Sequence, residues 1–132
     1  MQDGPMTLER TLKYTHDFTD QKALRSAIEE IDELLRSEVA QPSFRQVSVG
    51  VGDDDAAGEY IRDVWLELDG DGLEAEHGAI SVHGKFSGHN WELKASVAFR
   101  GLHVFGTVEG SEREKVTAIV KQIQQILTRH AA

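Results

Sequence analysis

From residue 44 to residue 109 apolar side chains return at every second position, segment after segment, while in residues 24–35 and 116–127 they return every third or fourth. Alternation puts successive side chains on opposite faces of a strand, and the longer period gathers them into one stripe of a helix. The chain therefore divides wherever one rhythm replaces the other.

Residues 6–18 alternate, with Met6, Leu8, Leu12, Tyr14 and Phe18 on one side and Thr7, Glu9, Thr11, Lys13 and Thr15 on the other, which predicts a half-buried strand. At Thr19-Asp20 the period changes. Leu24, Ala27, Ile28, Ile31, Leu34 and Leu35 then mark a helix to about Val39, with Thr19 or Asp20 placed to accept hydrogen bonds from its first turn. Pro42 ends it, because the residue before proline is pushed out of helical geometry. Val47, Val49 and Val51 predict a strand, residues 52–59 an acidic loop, and Val64, Leu66 and Leu68 a strand over 60–69. Asp69-Gly70-Asp71-Gly72 has the composition of a hairpin turn. Further strands are predicted at 73–86, 91–100 and 102–109, joined by Ser87-Gly88-His89-Asn90 and by Arg100-Gly101. Ser111 to Glu114 has the spacing of a capping box, and Val116, Ile119, Val120, Ile123, Ile126 and Leu127 form the stripe of a last helix.

Register can be tested by side-chain agreement. Setting Phe86 opposite Trp91 and Phe99 opposite Leu102 gives the rows Phe86/Trp91/Gly110, Gly84/Leu93/Val108, Val82/Ala95/Gly106 and Ile80/Val97/Val104, each apolar or glycine. Leu73 and Ala75 have the wrong parity to join this side, which predicts a bulge near His77-Gly78. Two amphipathic helices need an apolar sheet face to cover. The expected fold is one α+β domain over 1–132, with residues 1–5 as a flexible N-terminus. It is a two-layer sandwich of order β-α-β-β-β-β-β-α, whose mostly antiparallel sheet of five to six strands carries both helices on one face.

The opposite face then carries Lys85/Glu92/Glu109, His83/Lys94/Thr107, Ser81/Ser96/Phe105 and Ala79/Ala98/His103, charged at its edge and small in its centre. Trp65, Ile61 and Phe44 share its outward parity and would form an aromatic and aliphatic patch beside it. Net charge is −9, but residues 1–43 hold −4, residues 44–79 hold −8 and residues 80–132 hold +3. Asp53, Asp54, Asp55 and Glu59 lie in one loop, and Asp69, Asp71, Glu74 and Glu76 surround a turn. Such charge opposes nucleic acid and anionic membranes, and suits a solvated surface or a dock for a basic partner.

The chain has no cysteine, which removes disulfides, thiolate catalysis and cysteine-ligated metals. With no leader-like N-terminus and no long apolar run, the expected location is cytoplasmic. Histidines could ligate a metal, but the predicted register holds His83 and His103 roughly 16 Å apart and no helical His-x-x-x-His pair exists. Glu67, Asp69, Asp71 and Gly72 match the first positions of a calcium loop, but Gly78 stands where the twelfth position requires glutamate. There is no Gly-x-Ser-x-Gly elbow and no phosphate-binding loop, and the weak nucleophile pairing is Thr107 with His83. Glu92 and Glu109 could flank Lys85, which suggests a structural ion cluster.

These features predict a non-catalytic protein-binding module without cofactor or metal. Its contact residues would be Trp65, Ser81, Ser96, His103 and Phe105 on the outer face, with Asp53, Asp54, Asp55, Asp69 and Asp71 selecting a basic protein. Bacterial immunity proteins, small acidic inhibitors of basic toxins or nucleases, offer an analogy of charge and size alone. Two alternatives stand beside it. One is a ligand-binding domain or small enzyme with a pocket between sheet and helices, where Gly84 and Gly106 either admit close packing or leave space. The other is a homodimer joined through its sheet faces.

Overall fold

The computed structural model describes residues 10–131, so Met6, Leu8 and the 1–5 segment lie outside the described residues. The elements are β1 (Arg10–Asp17), α1 (Gln21–Glu38), β2 (Phe44–Val51), β3 (Asp54–Gly58), α2 (Ile61–Gly70), β4 (His77–Lys85), β5 (Glu92–Arg100), β6 (His103–Gly110) and α3 (Arg113–Ala131). The fold is α+β: one six-stranded sheet of order β1-β6-β5-β4-β2-β3, with every neighbouring pair antiparallel.

All three helices cover one face. Leu24, Ala27, Ile28, Ile31 and Leu35 of α1 and Val116, Ile119, Val120, Ile123 and Leu127 of α3 are buried against Val47, Val49, Ile80, Val82, Leu93, Val97, Val104 and Val108 of the sheet. Asp20 accepts a hydrogen bond from the Lys22 N–H and starts α1, and the Val39 N–H still reaches the Leu35 carbonyl at its end.

The sequence expectations need correcting between residues 52 and 76. Part of the acidic loop, Asp54–Gly58, is an edge strand. Residues 61–70 form a helix instead of a strand. Two rhythms coexist there: Val64, Leu66 and Leu68 alternate, but Ile61, Val64, Trp65 and Leu68 also fall at i, i+3, i+4 and i+7. Burial decides for the second, since those four are buried while Leu66 is 51% exposed. The "hairpin turn" Asp69–Gly72 is the end of this helix. The Leu73 N–H donates to the Leu68 carbonyl and the Gly72 N–H to the Asp69 carbonyl, with Gly72 at φ 74°, a backbone-closed helix stop that glycine makes easily.

Asp32 explains how α2 is held. This carboxylate, buried on α1, accepts from the Arg45 guanidinium of β2 and, at 3.3 Å, from the Ile61 N–H at the start of α2. Tyr60, the residue before α2, supplies no side-chain cap. A charge from another element thus satisfies a backbone donor that the local sequence leaves open, at the end of the helix where negative charge is favoured.

Three smaller corrections follow. β4 begins at His77 and pairs with β2 without interruption from Phe44/His83 to Gly50/His77, so there is no bulge. The β4–β5 register is as expected, but β5 and β6 are displaced by two residues, with Arg100 opposite His103 and Phe99 opposite Val104. A two-residue slip keeps every side chain on its face, so the apolar-row test passes in either register. Ser111 does not box the last helix. Its hydroxyl accepts from the Glu92 N–H at 2.9 Å, and the Val116 N–H donates to the Glu112 carbonyl.

Candidate functional site

With the helices on one side, the other face of the sheet is bare among the described residues. Reading across β1, β6, β5, β4, β2 and β3, one row is Asp17, His103, Arg100, His77, Gly50 and Asp55. The next is Thr15, Phe105, Ala98, Ala79, Ser48 and Ala57, and the third contains Lys13, Thr107, Ser96, Ser81 and Gln46. A fourth holds Thr11, Glu109, Lys94, His83 and Phe44, and Glu92 faces Lys85 at the hairpin end.

The centre is flat because its residues are small. Ala79, Ala98, Ser48, Ser81 and Ser96 stand only one or two heavy atoms above the backbone, and the Ser96 hydroxyl lies 3.2 Å from that of Thr107. Phe105 (41% exposed) and Phe44 (51% exposed) rise above this floor on either side. Phe105 stacks on His103, ring centroids 5.7 Å apart.

Each outward histidine has a carboxylate neighbour: His103 to Asp17 at 2.6 Å, His83 to Glu92 at 3.4 Å and His77 to Asp55 at 3.7 Å. The last contact reaches over Gly50. A Cβ added there would run into the Asp55 carboxylate and, at 2.6 Å, the His77 ring, so glycine is what lets the two side chains meet across the middle strand.

Of the residues expected at the site, Ser81, Ser96, His103 and Phe105 do share this face, and Asp55 reaches its edge. Trp65 does not. It is 2% exposed, on α2, and its ring stacks parallel to Phe99 at 5.1 Å between centroids. Ile61 is likewise buried, whereas Phe44 is outward as expected. Asp69 lies on the helix layer, paired with Arg25 of α1 through two hydrogen bonds of 2.8 and 3.2 Å, and Asp71 follows it at the end of α2. Asp54 has inward parity on β3, and Asp53 precedes that strand. The acidic segment and the bare face are therefore not one surface.

The chemistries weighed from the sequence change with the corrected register. Thr107 lies across from Ser96, not Lys94, which takes it a row away from His83, and Glu109 faces Lys94 while Glu92 faces Lys85. His83 and His103 are three rows apart, further than expected. Among the described residues no group of three or more histidine, aspartate or glutamate side chains converges as metal ligands would. Gly84 and Gly106 serve close packing. Val39 Cγ1 would stand 2.7 Å from a Cβ on Gly84, and the phenol of Tyr14 covers Gly106 while donating to the Ser96 carbonyl at 2.7 Å. On the side where a Cβ would stand, both glycines are closely covered. No described helix is long and apolar enough to cross a membrane.

No protein-family model, curated protein or solved structure matches the chain.

Proposed function

We propose that the chain is a non-catalytic protein-binding module whose contact surface is the bare face of its sheet. The observation that carries this is the one-sided placement of the helices: six strands present a flat floor of alanine and serine, flanked by exposed Phe105 and Phe44, with no other element over it among the described residues. A contiguous face of this kind, apolar or small at its centre and charged at its rim, has the anatomy of a protein interface. Ser81, Ser96, His103 and Phe105 form its contact residues. A uniformly basic partner, suggested by the acidic segment alone, fits it less well, because Asp69 and Asp71 lie on the opposite layer.

Ala98→Arg and Phe105→Glu test it beside Leu66→Glu, which places a charge on the helix layer instead. Immobilised wild-type protein and the three variants, each checked for folding by circular dichroism, are used to retain proteins, added copies of this chain included. The two sheet-face variants are expected to lose what the wild type retains, and Leu66→Glu to keep it. Equal retention by folded Ala98→Arg, Phe105→Glu and wild type would refute the proposal.

A further inference from the structure

We propose that the occupant of the bare face is a second copy of this chain, packed face to face about a two-fold axis running parallel to the strands between β4 and β5. This rests on the sheet face being the protein-binding surface.

Charge is the first argument. The chain carries −9, yet among the described residues the outward strand positions hold four acids, Asp17, Asp55, Glu92 and Glu109, and four bases, Lys13, Lys85, Lys94 and Arg100. Among the described residues the excess of negative charge lies off this one face. Two identical acidic molecules meet there without the like-charge cost that any contact through their helix layers would carry. The proposed axis also sets Lys85 of each copy over Glu92 of the other, while Lys94 and Arg100 lie over the imidazoles of His83 and His77. The like-signed pairing, Asp17 over Asp55, falls at the outermost strands, where two twisted sheets diverge.

Shape is the second. An isologous contact must be complementary to itself, so each protrusion needs a depression related to it by the axis. The axis lies at the middle of the sheet order, so β6 of one copy faces β2 of the other. Phe105 then sits over Ser48, between Ala79 and Ala57, the small residues of its own row, while Phe44, the other raised ring, lies nearer the rim against Glu109 of the facing β6. Strands about 4.8 Å apart and about 27 Å long give a face of roughly 600 Å² per copy, or roughly 1,200 Å² in all, at the threshold of a specific stable interface.

Sedimentation equilibrium on the full chain should show a species of twice the 14.7 kDa chain mass. Phe105→Glu should raise the dissociation constant by about ten- to a hundredfold, as loss of a central aromatic anchor does, and Leu66→Glu should leave it unchanged. Moving from low to physiological salt should tighten the dimer, since screening removes the long-range repulsion of two acidic bodies. Because the chain lacks cysteine, Phe105→Cys and Ser48→Cys can be made separately and mixed with a short bismaleimide. Cross-links between the two variants, exceeding those within either alone, are expected from this axis. A wild-type chain that remains monomeric at high concentration overturns the inference, and so does a dimer whose mixed variants do not cross-link. If such a monomer still loses partner retention on Phe105→Glu, the binding surface stands and only the identity of its occupant falls.

Discussion

Replacing Asp32 by alanine removes more than one contact, because this carboxylate of α1 serves both Arg45 of β2 and the first N–H of α2. Its side chain is 5% exposed and that of Arg45 13%, so solvent screens the pair weakly. The substitution leaves the guanidinium buried without its anion, when its Nη1 already has no partner, and leaves the Ile61 N–H open at the start of α2. Breaking a buried pair from one side costs about 3–5 kcal/mol, a large part of the about 5–15 kcal/mol that holds a domain folded. With a urea slope of about 1.5–2 kcal/mol per molar, the unfolding midpoint should fall by roughly 2 M. The loss should be local before it is global: amides of Val64 and Trp65 should exchange faster relative to those of α3. Asp32→Leu combined with Arg45→Met should recover most of the stability, since no charge is then stranded. A midpoint shift corresponding to less than about 1 kcal/mol, or a double variant no better than Asp32→Ala, would show that α2 is held by apolar packing and that the pair adds little.

Three further predictions concern the packing of the strands and the closure of the helix layer. Burial raises the ionisation of the Tyr14 phenol above its ordinary range, so the fold keeps this proton longer than the unfolded chain does; stability should be full below about pH 10 and decline above it, and absorbance titration in a Tyr60→Phe background should show Tyr14 ionising only with unfolding. Gly106→Ala should cost about 1–3 kcal/mol in chemical denaturation, because its Cβ would run into the Ser96 carbonyl and the Tyr14 hydroxyl, whereas Gly70→Ala, with open space around it, should be tolerated. The His130 hydrogen bond at 2.8 Å, with Arg129 assisting, holds the Glu30 carboxyl below the ordinary glutamate range. Glu30 therefore stabilises the fold above its unfolded ionisation and loses that contribution as pH falls through the folded one, so Glu30→Gln should flatten the acid limb of a pH-stability curve.

The meander, both long helices and the two-layer plan were legible because each rests on one unambiguous period. Residues 61–70 were not, because Val64 and Leu68 serve either rhythm. The deciding partner, Asp32, lies 29 positions away from Ile61 and looks like any other acid of an amphipathic helix. The i, i+3, i+4, i+7 spacing of Ile61, Val64, Trp65 and Leu68 was the available signal, and it would also have moved Trp65 from the outer face to the core. The β5–β6 slip was invisible to a test of faces, since the choice between Arg100-Gly101 and Gly101-Leu102 as the loop changes partners without changing sides. Ser81, Ser96, His103 and Phe105 remained together for the same reason: parity alone fixes membership of a face.

The sheet order also has a consequence for synthesis. β1 leaves the ribosome first, yet its hydrogen-bonding partner is β6, so Arg10 must wait for Gly110 before its strand is paired. Through that interval β1 is an unmatched β-segment, and closing so long a loop is slow relative to zipping up the β4–β5–β6 meander. The last strand of the meander is thus the template on which the first strand is finally laid. Stalling translation between residues 91 and 110 would hold nascent chains with β1 unpaired, at the stage when pairing between neighbouring polysomal chains competes with native closure.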